Sequence, residues 1–531
     1  MPSIAFTAPH RSAAEIGQQM LADGASAVDA MVAASAAIAV AYPHMNSLGG
    51  DGFWLIQAPG EAPVGIDACG FAAQRATIDY YRDAGFDAIP SRGPQAALCQ
   101  AGTLDGWRLA REWAAANGLA TRPLSELVAP AAALAQSGIT VTASLQAASE
   151  KLAGEHWDAP DYLRLFQPEG RTLKVGDVLC NPALAQFLRS LGERGTEDFY
   201  RGELGAAIAG YLADAGSPLR QADFQDYRAS RVTPLTTHIA GADIFNLPPP
   251  TQGIASLLIL ALYDRIRRRL QPASETERVH CIVEATKLAF IIRDREVGDP
   301  QRLSPGFADV LDDKALDALA EQVSAEVAMP WPQVAEPGDT VWMGALDKHG
   351  TMVSFIQSVY WEFGAGVVVP EFGLVWNNRG LSFQLHAGHR NALAPRHRPF
   401  HTLNPAFALL EDGRRLSYGT MGGEGQPQTQ AAVFTRFFYE GQALSEAIAN
   451  PRWLLGRTWG ASDTDLKLEQ SLYADIGSEL ARRGHVLASL PDLSESLGHA
   501  GAICLAPTGE VEAATDPRSD GAAFTASLNE E

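Results

Sequence analysis

Three stretches of this 531-residue chain hold residue types that could do chemistry. The first is TVWMGALDKHGTMVSFIQS, residues 340–358. Its centre, Asp347-Lys348-His349-Gly350, suits a type I turn with Gly350 in the left-handed bulge position. That turn sets Leu346 opposite Met352 and, counted back along the ladder, Thr340 opposite Ser358. A hydroxyl is a potential nucleophile, yet a solvent-facing Thr–Ser pair is also common in sheets. The second stretch, YGTMGGEGQPQTQAAVF, bunches Gly419, Gly422, Gly423 and Gly425 before Pro427, a residue suited to a first helical turn. Free backbone N–H groups there would bind an anion or a developing oxyanion; a strand-to-helix turn needing positive φ gives the same pattern. The third feature is Arg379, behind the apolar FGLVWNN and beside Asn377, Asn378 and Ser382. Arginine can grip a carboxylate with two parallel hydrogen bonds, and it is equally a common surface residue.

Other catalytic signatures are missing. The chain has no G-x-S-x-G, no phosphate-binding G-x-x-x-x-G-K-[ST], no H-E-x-x-H and no G-x-G-x-x-G before a helix. The pairs His386/His389 and His397/His401 lie in a Pro- and Arg-containing stretch without a regular helix to align them, so no metal is expected.

The elements that must position these residues divide near residue 338. Before it the pattern is mostly helical, with apolar spacing predicting helices over 26–42, 145–153, 182–193, 203–214, 254–268 and 276–293, and a buried strand at FWLIQA. After it come strand, turn and strand, with FGLVWNN and PAFALL as further strands. Sheet and helix layers sharing one core are expected. The polar AEPGDT, ending at Thr340, is the best candidate for an exposed, cleavable boundary.

Composition narrows the partners. With 41 Lys+Arg against 62 Asp+Glu the net charge is −21, which argues against nucleic acid and anionic membrane surfaces. Five scattered cysteines without a C-x-x-C argue against a disulfide framework or thiolate zinc and favour a reducing compartment. MPSIAFTAPH has neither the cationic nor the long apolar region of a signal peptide, and the run 31–42 is too short to span a bilayer. A cytoplasmic protein is the expectation.

Ten strings in order carry a resemblance. They include GASAVDAMVAASAAIAVAYPHMNSLGGDGFWLI, NLPPPTQG, VEATKLAFIIRDREVGDP, GDTVWMGALDKHGTMVSFIQS, RPFHTLNPAFALLEDG, YGTMGGEG and ATDPRSDGAA. The chain resembles, over nearly its whole length, the γ-glutamyltranspeptidase family of N-terminal-nucleophile hydrolases. The resemblance implies a four-layer αββα sandwich formed by two pieces of one precursor. Self-cleavage between Asp339 and Thr340 would give a large subunit, 1–339, and a small one, 340–531. The freed α-amine of Thr340 would act as base on its own hydroxyl. Ser358 matches the position that hydrogen-bonds the nucleophile, and Gly422 and Gly423 match the oxyanion donors. No cofactor is implied, and assembly into a homodimer of heterodimers is left open.

The departures bear on the substrate. Where the family's glutamyl transferases hold the α-carboxylate with an arginine, this chain has Cys69. Where they hold the α-amino group with Asn, Gln and Asp, it has Tyr360, Arg379 and Ser382, and their paired serines are His401 and Thr402. The stretch between Ser382 and His401 is short for the long lid of some transferases. A γ-glutamyl substrate would bring its ammonium towards Arg379, a like-charge contact. The pattern is similar to the oxamate amidohydrolase branch, which serves purine-ring nitrogen salvage. A small anionic amide held by Arg379, with Tyr360, His401 or Thr402 as hydrogen-bond partners, is the expected substrate. The rivals are γ-glutamyl transfer or hydrolysis with glutathione, a glutaryl- or cephalosporin-type acylase, and an uncut binding scaffold.

Overall fold

A computed structural model describes residues 2–155, 159–331, 339–456 and 464–528. The predicted helices form where the apolar spacing places them. Ser26 caps Ala27–Ala41 by accepting the Asp29 N–H, and every residue of that helix is buried. Its alanines let the backbone lie close to its neighbours. Segment 145–153 lies within Ala143–Ala153. Asn181 caps Pro182–Arg194, and Glu203–Ala215 follows. Helices Gly253–Leu270 and Glu275–Glu296 pack on each other, the second opened by a Ser274/Glu277 capping box.

Two antiparallel sheets form the middle of the molecule. The first runs Ala522–Ser527, Ser3–Ala8, Asp339–Leu346, Met352–Tyr360, Asp51–Gln57, Val64–Ala68, Ser230–Val232. The second runs Val511–Thr515, Ala500–Leu505, Arg415–Thr420, Ala406–Leu410, Ala242–Asn246, Leu235–Ile239. Side chains alternate across each strand, so each sheet serves two cores. Val341, Met343 and Ala345 pack with Ala27–Ala41 and its neighbours on the outer side of the first sheet. Trp342 and Leu346 point the other way, into an apolar layer shared with Phe407 and Ile503 of the second sheet. A third core joins Ala406, Ala408 and Leu416 to helices Gly253–Leu270 and Glu275–Glu296. Helix, sheet, sheet, helix is therefore the order of layers, as expected.

Trp342 shows how closely the sheets approach. Its indole N–H donates to Ser354 Oγ at 2.9 Å. A Cβ at Gly419 would sit 2.2 Å from the indole, and one at Gly501 2.6 Å from it, so the second sheet must present glycine at both places.

Two sequence expectations need amendment. FGLVWNN forms only the short strand Leu374–Val375, paired with Val368–Val369; beyond it the side chains of Asn377 and Asn378 bond to backbone carbonyls instead of extending a ladder. Of AEPGDT, residues 335–338 lie outside the described residues, and Asp339 and Thr340 already belong to a strand.

Candidate active site

The hairpin holds its predicted register from Leu346–Met352 to Val341–Gln357, and Gly350 has φ +82°. At the next step the ladder shifts, so that Asp339 pairs with Tyr360. Thr340 therefore faces a bulge of two residues, Ser358 and Val359, and not Ser358 alone. A bulge bends the strand and re-aims a side chain, and Tyr360 just beyond it has φ +86°. Thr340 is completely buried and Ser358 nearly so. The solvent-facing reading of this pair is thus excluded. Ser358 Oγ accepts the Tyr360 N–H at 2.8 Å, which pins the bulge.

Gly422 and Gly423 take φ +121° and +53° at the end of strand Arg415–Thr420, just before helix Gln426–Phe438. Among the described residues their N–H groups have no acceptor. Pro427 lies in the first turn of that helix, as predicted. The amide of Gln426, the helix's first residue, donates to Thr340 Oγ1 at 3.3 Å and accepts from Asn404. Gln252 Nε2 donates to the carbonyls of Thr402 (2.8 Å) and Gly423 (2.9 Å). One buried amide thus ties the glycine loop to the far end of the site. Gln252, Asn404 and Gln426 had no signal in spacing; they stand in the strings PPPTQG, HTLNPAF and YGTMGGEGQPQ as ordinary polar residues.

That far end gathers the other expected residues. Arg379, in the turn Arg379–Ser382, is 1% exposed. Its guanidinium carbon lies 3.8 Å from the centre of the Tyr360 ring, and Nη1 donates to Thr402 Oγ1 at 3.2 Å. Nε and Nη2 are buried with no partner, and so is Ser382 Oγ. Burial pulls the Arg379 pKa below its ordinary value, against nearby Tyr360 and Asp51. Cys69 is fully buried within electrostatic reach of Arg379.

His401 is placed differently from expectation. Nδ1 accepts the Leu403 N–H at 3.3 Å and Nε2 lies 2.9 Å from Asp51 Oδ2, so no ring nitrogen is left for a substrate. Asp51, the first residue of strand Asp51–Gln57, was missed in the sequence because NSLGGDG reads simply as a turn. Burial raises its pKa to about 7, against Arg379 and the Gly70 N–H, which both lower it.

Asp51, Cys69 and His401 offer three ligand atoms within 4.8 Å of one another. Both Asp51 oxygens already accept hydrogen bonds, and Arg379 adds a positive charge, so the cluster does not suit a cation. His280, Glu284 and His485 are similarly close. There the two rings bond each other at 2.8 Å and Lys287 Nζ sits 2.7 Å from Glu284, filling the place of an ion. His386 and His389 are exposed, and His397 lies beside Asp299. Among the described residues, neither pair brings both of its histidines into one cluster of ligand atoms.

Known proteins resemble this chain along its length. The family model described as Gamma-glutamyltranspeptidase matches residues 13–526. A Klebsiella pneumoniae protein named Oxamate amidohydrolase proenzyme is 48% identical over 97% of both chains. The Bacillus subtilis Glutathione hydrolase-like YwrD proenzyme is 34% identical, again over 97% of both. Among solved structures, cephalosporin acylase from Bacillus halodurans superposes with a TM-score of 0.88 at 29% identity, covering 100% of this chain and 96% of its own. The match across the chain, the shared sandwich and the buried Thr340 with its glycine loop lead to one statement: this chain belongs to the γ-glutamyltranspeptidase family.

Proposed function

We propose that this chain is an amidohydrolase that releases ammonia from a small amide bearing a carboxylate, with oxamate as the best fit. Its nucleophile is Thr340, exposed as a new N-terminus by a cut between Asp339 and Thr340. The observation that carries the substrate class is the buried Arg379 fork, whose Nε and Nη2 lack partners. A buried cation with idle donors is costly until an anion meets it. A carboxylate next to the scissile amide would satisfy both donors in parallel. The similarity to the Klebsiella oxamate amidohydrolase proenzyme supports the same choice.

The chemistry follows from the residues. The free α-amine of Thr340, with an ordinary pKa of about 8, takes the hydroxyl proton as Oγ1 attacks the amide carbon. The N–H groups of Gly422 and Gly423 receive the oxyanion. The protonated amine then gives its proton to the departing nitrogen, and ammonia leaves. Water, deprotonated by the same amine, hydrolyses the ester and releases oxalate. The name proenzyme on the relatives supports a cut precursor. Purine-ring nitrogen salvage in the cytoplasm is the setting we propose for this reaction. No helix among the described residues is long and apolar enough to cross a membrane. A γ-glutamyl donor fits poorly, because its ammonium would approach Arg379.

Ammonia release is to be measured on oxamate, succinamate, glutamine and glutathione, beside a denaturing gel. Turnover of the anionic amides by protein showing fragments 1–339 and 340–531 is expected. Preference for glutathione, or full activity in an uncut chain, would overturn the proposal.

A further inference from the structure

Arg293 is a buried charge that the proposed reaction leaves unused. It lies near the end of helix Glu275–Glu296, with its side chain 2% exposed. Its guanidinium carbon sits 4.0 Å from the centre of the Phe290 ring and 5.8 Å from that of Phe400, so two rings flank the fork. Nε donates to Asp294 Oδ1 at 2.7 Å, towards the surface. Nη1 donates to Gln252 Oε1 at 3.0 Å, and Nη2 to Glu424 Oε2 at 2.5 Å.

These last two contacts both lead to the glycine loop. Glu424 stands between Gly423 and Gly425. A guanidinium only donates, so it fixes which end of the Gln252 amide is the oxygen. The nitrogen is thereby turned to the carbonyls of Gly423 and Thr402. The loop's own bonds set its internal shape. The Met421 carbonyl accepts Thr420 Oγ1 at 2.7 Å, and the Gly422 carbonyl accepts the Gly425 N–H at 2.9 Å. A planar trans peptide sends its N–H opposite to its C=O. Pinning these two carbonyls therefore aims the N–H groups of Gly422 and Gly423, which belong to the same two peptides. Glycine torsions are soft, so where the pair sits against Thr340 depends on what grips the loop from outside.

Resting on the proposed reading of Gly422 and Gly423 as oxyanion donors, we infer that Arg293 is a positioning residue for the reaction: it grips the glycine loop at Glu424 and, through Gln252, at the Gly423 carbonyl, and so holds both donors where the oxyanion forms. It touches neither the substrate nor the reacting atoms. A lysine in its place could not grip both partners, because an ammonium lacks the planar fork. The grip also crosses the proposed cut. Arg293 and Gln252 belong to residues 1–339 and the loop to 340–531, so the earlier piece places the donors of the later one. Formation and hydrolysis of the acyl-enzyme both pass through an oxyanion. A loosened loop therefore slows either step, while an acid bound at Arg379 without an oxyanion is indifferent to it.

The test is kinetic, on the mature enzyme and with whichever amide the wild type turns over, rates being counted per 340–531 band on a denaturing gel. Its readouts are kcat and the inhibition constant of the acid product (oxalate from oxamate), which binds without forming an oxyanion. Arg293→Lys and Gln252→Met are each expected to lower kcat about 10- to 10²-fold, short of the roughly 10²–10³-fold that loss of a whole donor costs. In Arg293→Lys the product constant should stay within about twofold of wild type. Glu424→Gln, which keeps an acceptor for Nη2, should lower kcat less than about threefold. The double variant of Arg293 and Gln252 should lose less than the product of the two single losses, because the two residues act through one contact. Gln252→Met and Glu424→Gln carry the comparison if Arg293→Lys does not fold. A kcat within about twofold of wild type in Arg293→Lys and Gln252→Met, a kcat loss matched by an equal rise in the product constant, or losses that multiply in full would overturn the role of Arg293 and leave the oxyanion donors as assigned. Failure of all three single variants to cut would overturn it too, since the contacts would then serve the cut and not turnover. Turnover of glutathione alone overturns the anionic-amide reading and leaves this test intact. If the wild type turns over no amide, both fall.

Discussion

The two ends of the site are built from opposite materials. At the nucleophile end, Thr340, Ser358, Gly422 and Gly423 offer hydroxyls and backbone N–H groups without a charged side chain. At the other end, Arg379, Tyr360, Asp51 and His401 crowd two opposite charges against an aromatic ring in the dry interior. On the proposed reading, the first end would run one reaction on any amide presented to it. The second would decide which amide arrives. Gln252, bonded to Gly423 and Thr402, is the physical link between them. The Bacillus halodurans cephalosporin acylase, whose printed name points to a different substrate from that of the Klebsiella relative, shares the fold of this chain.

That division can be broken by substitution. Thr340→Ala should abolish turnover, a loss of at least about 10⁴-fold, since hydroxyl and amine vanish together. The chain should also remain full length on a denaturing gel. Residual turnover near the wild-type rate would mean that the nucleophile lies elsewhere. Arg379→Lys should raise the oxamate KM by about 10²-fold while kcat changes little, because a lysine cannot form the parallel pair or stack on Tyr360. Steady-state kinetics separates the two parameters; a collapse of kcat at unchanged KM would show that the ends are not separable. Ser382→Ala, which removes one neutral hydroxyl, should raise KM only about three- to tenfold. No change at all would place Ser382 outside the carboxylate's reach.

Legibility followed the same division. The hairpin count reached within one residue of the Thr340 contact because turn chemistry fixes register. It missed the bulge because no residue type announces an extra residue in a ladder. Glycine clustering gave the positive-φ turn at Gly422 and Gly423, since few side chains tolerate φ of +121°. The charged end resisted, because its parts come from residues 51, 69, 379 and 401, which meet only after the sheets stack. Arg379 looked like a surface arginine in its own neighbourhood, and only the family resemblance gave a reason to expect it buried. Neither route found Asp51, whose importance lies in a partner 350 residues away.

The strand order of the first sheet has a further consequence. Reading from the edge, strand Ala522–Ser527 belongs to the later piece, Ser3–Ala8 to the earlier, the hairpin 340–360 to the later, and the last three strands to the earlier. A cut before Thr340 therefore leaves two polypeptides woven through one sheet, and neither holds a complete sheet alone. Unfolding changes from a first-order event into a dissociation whose midpoint depends on protein concentration. Reassembly would need an encounter between strangers where the precursor had a tether. If the chain is cut as proposed, a single hydrolysed peptide bond fixes the molecularity of every later folding event.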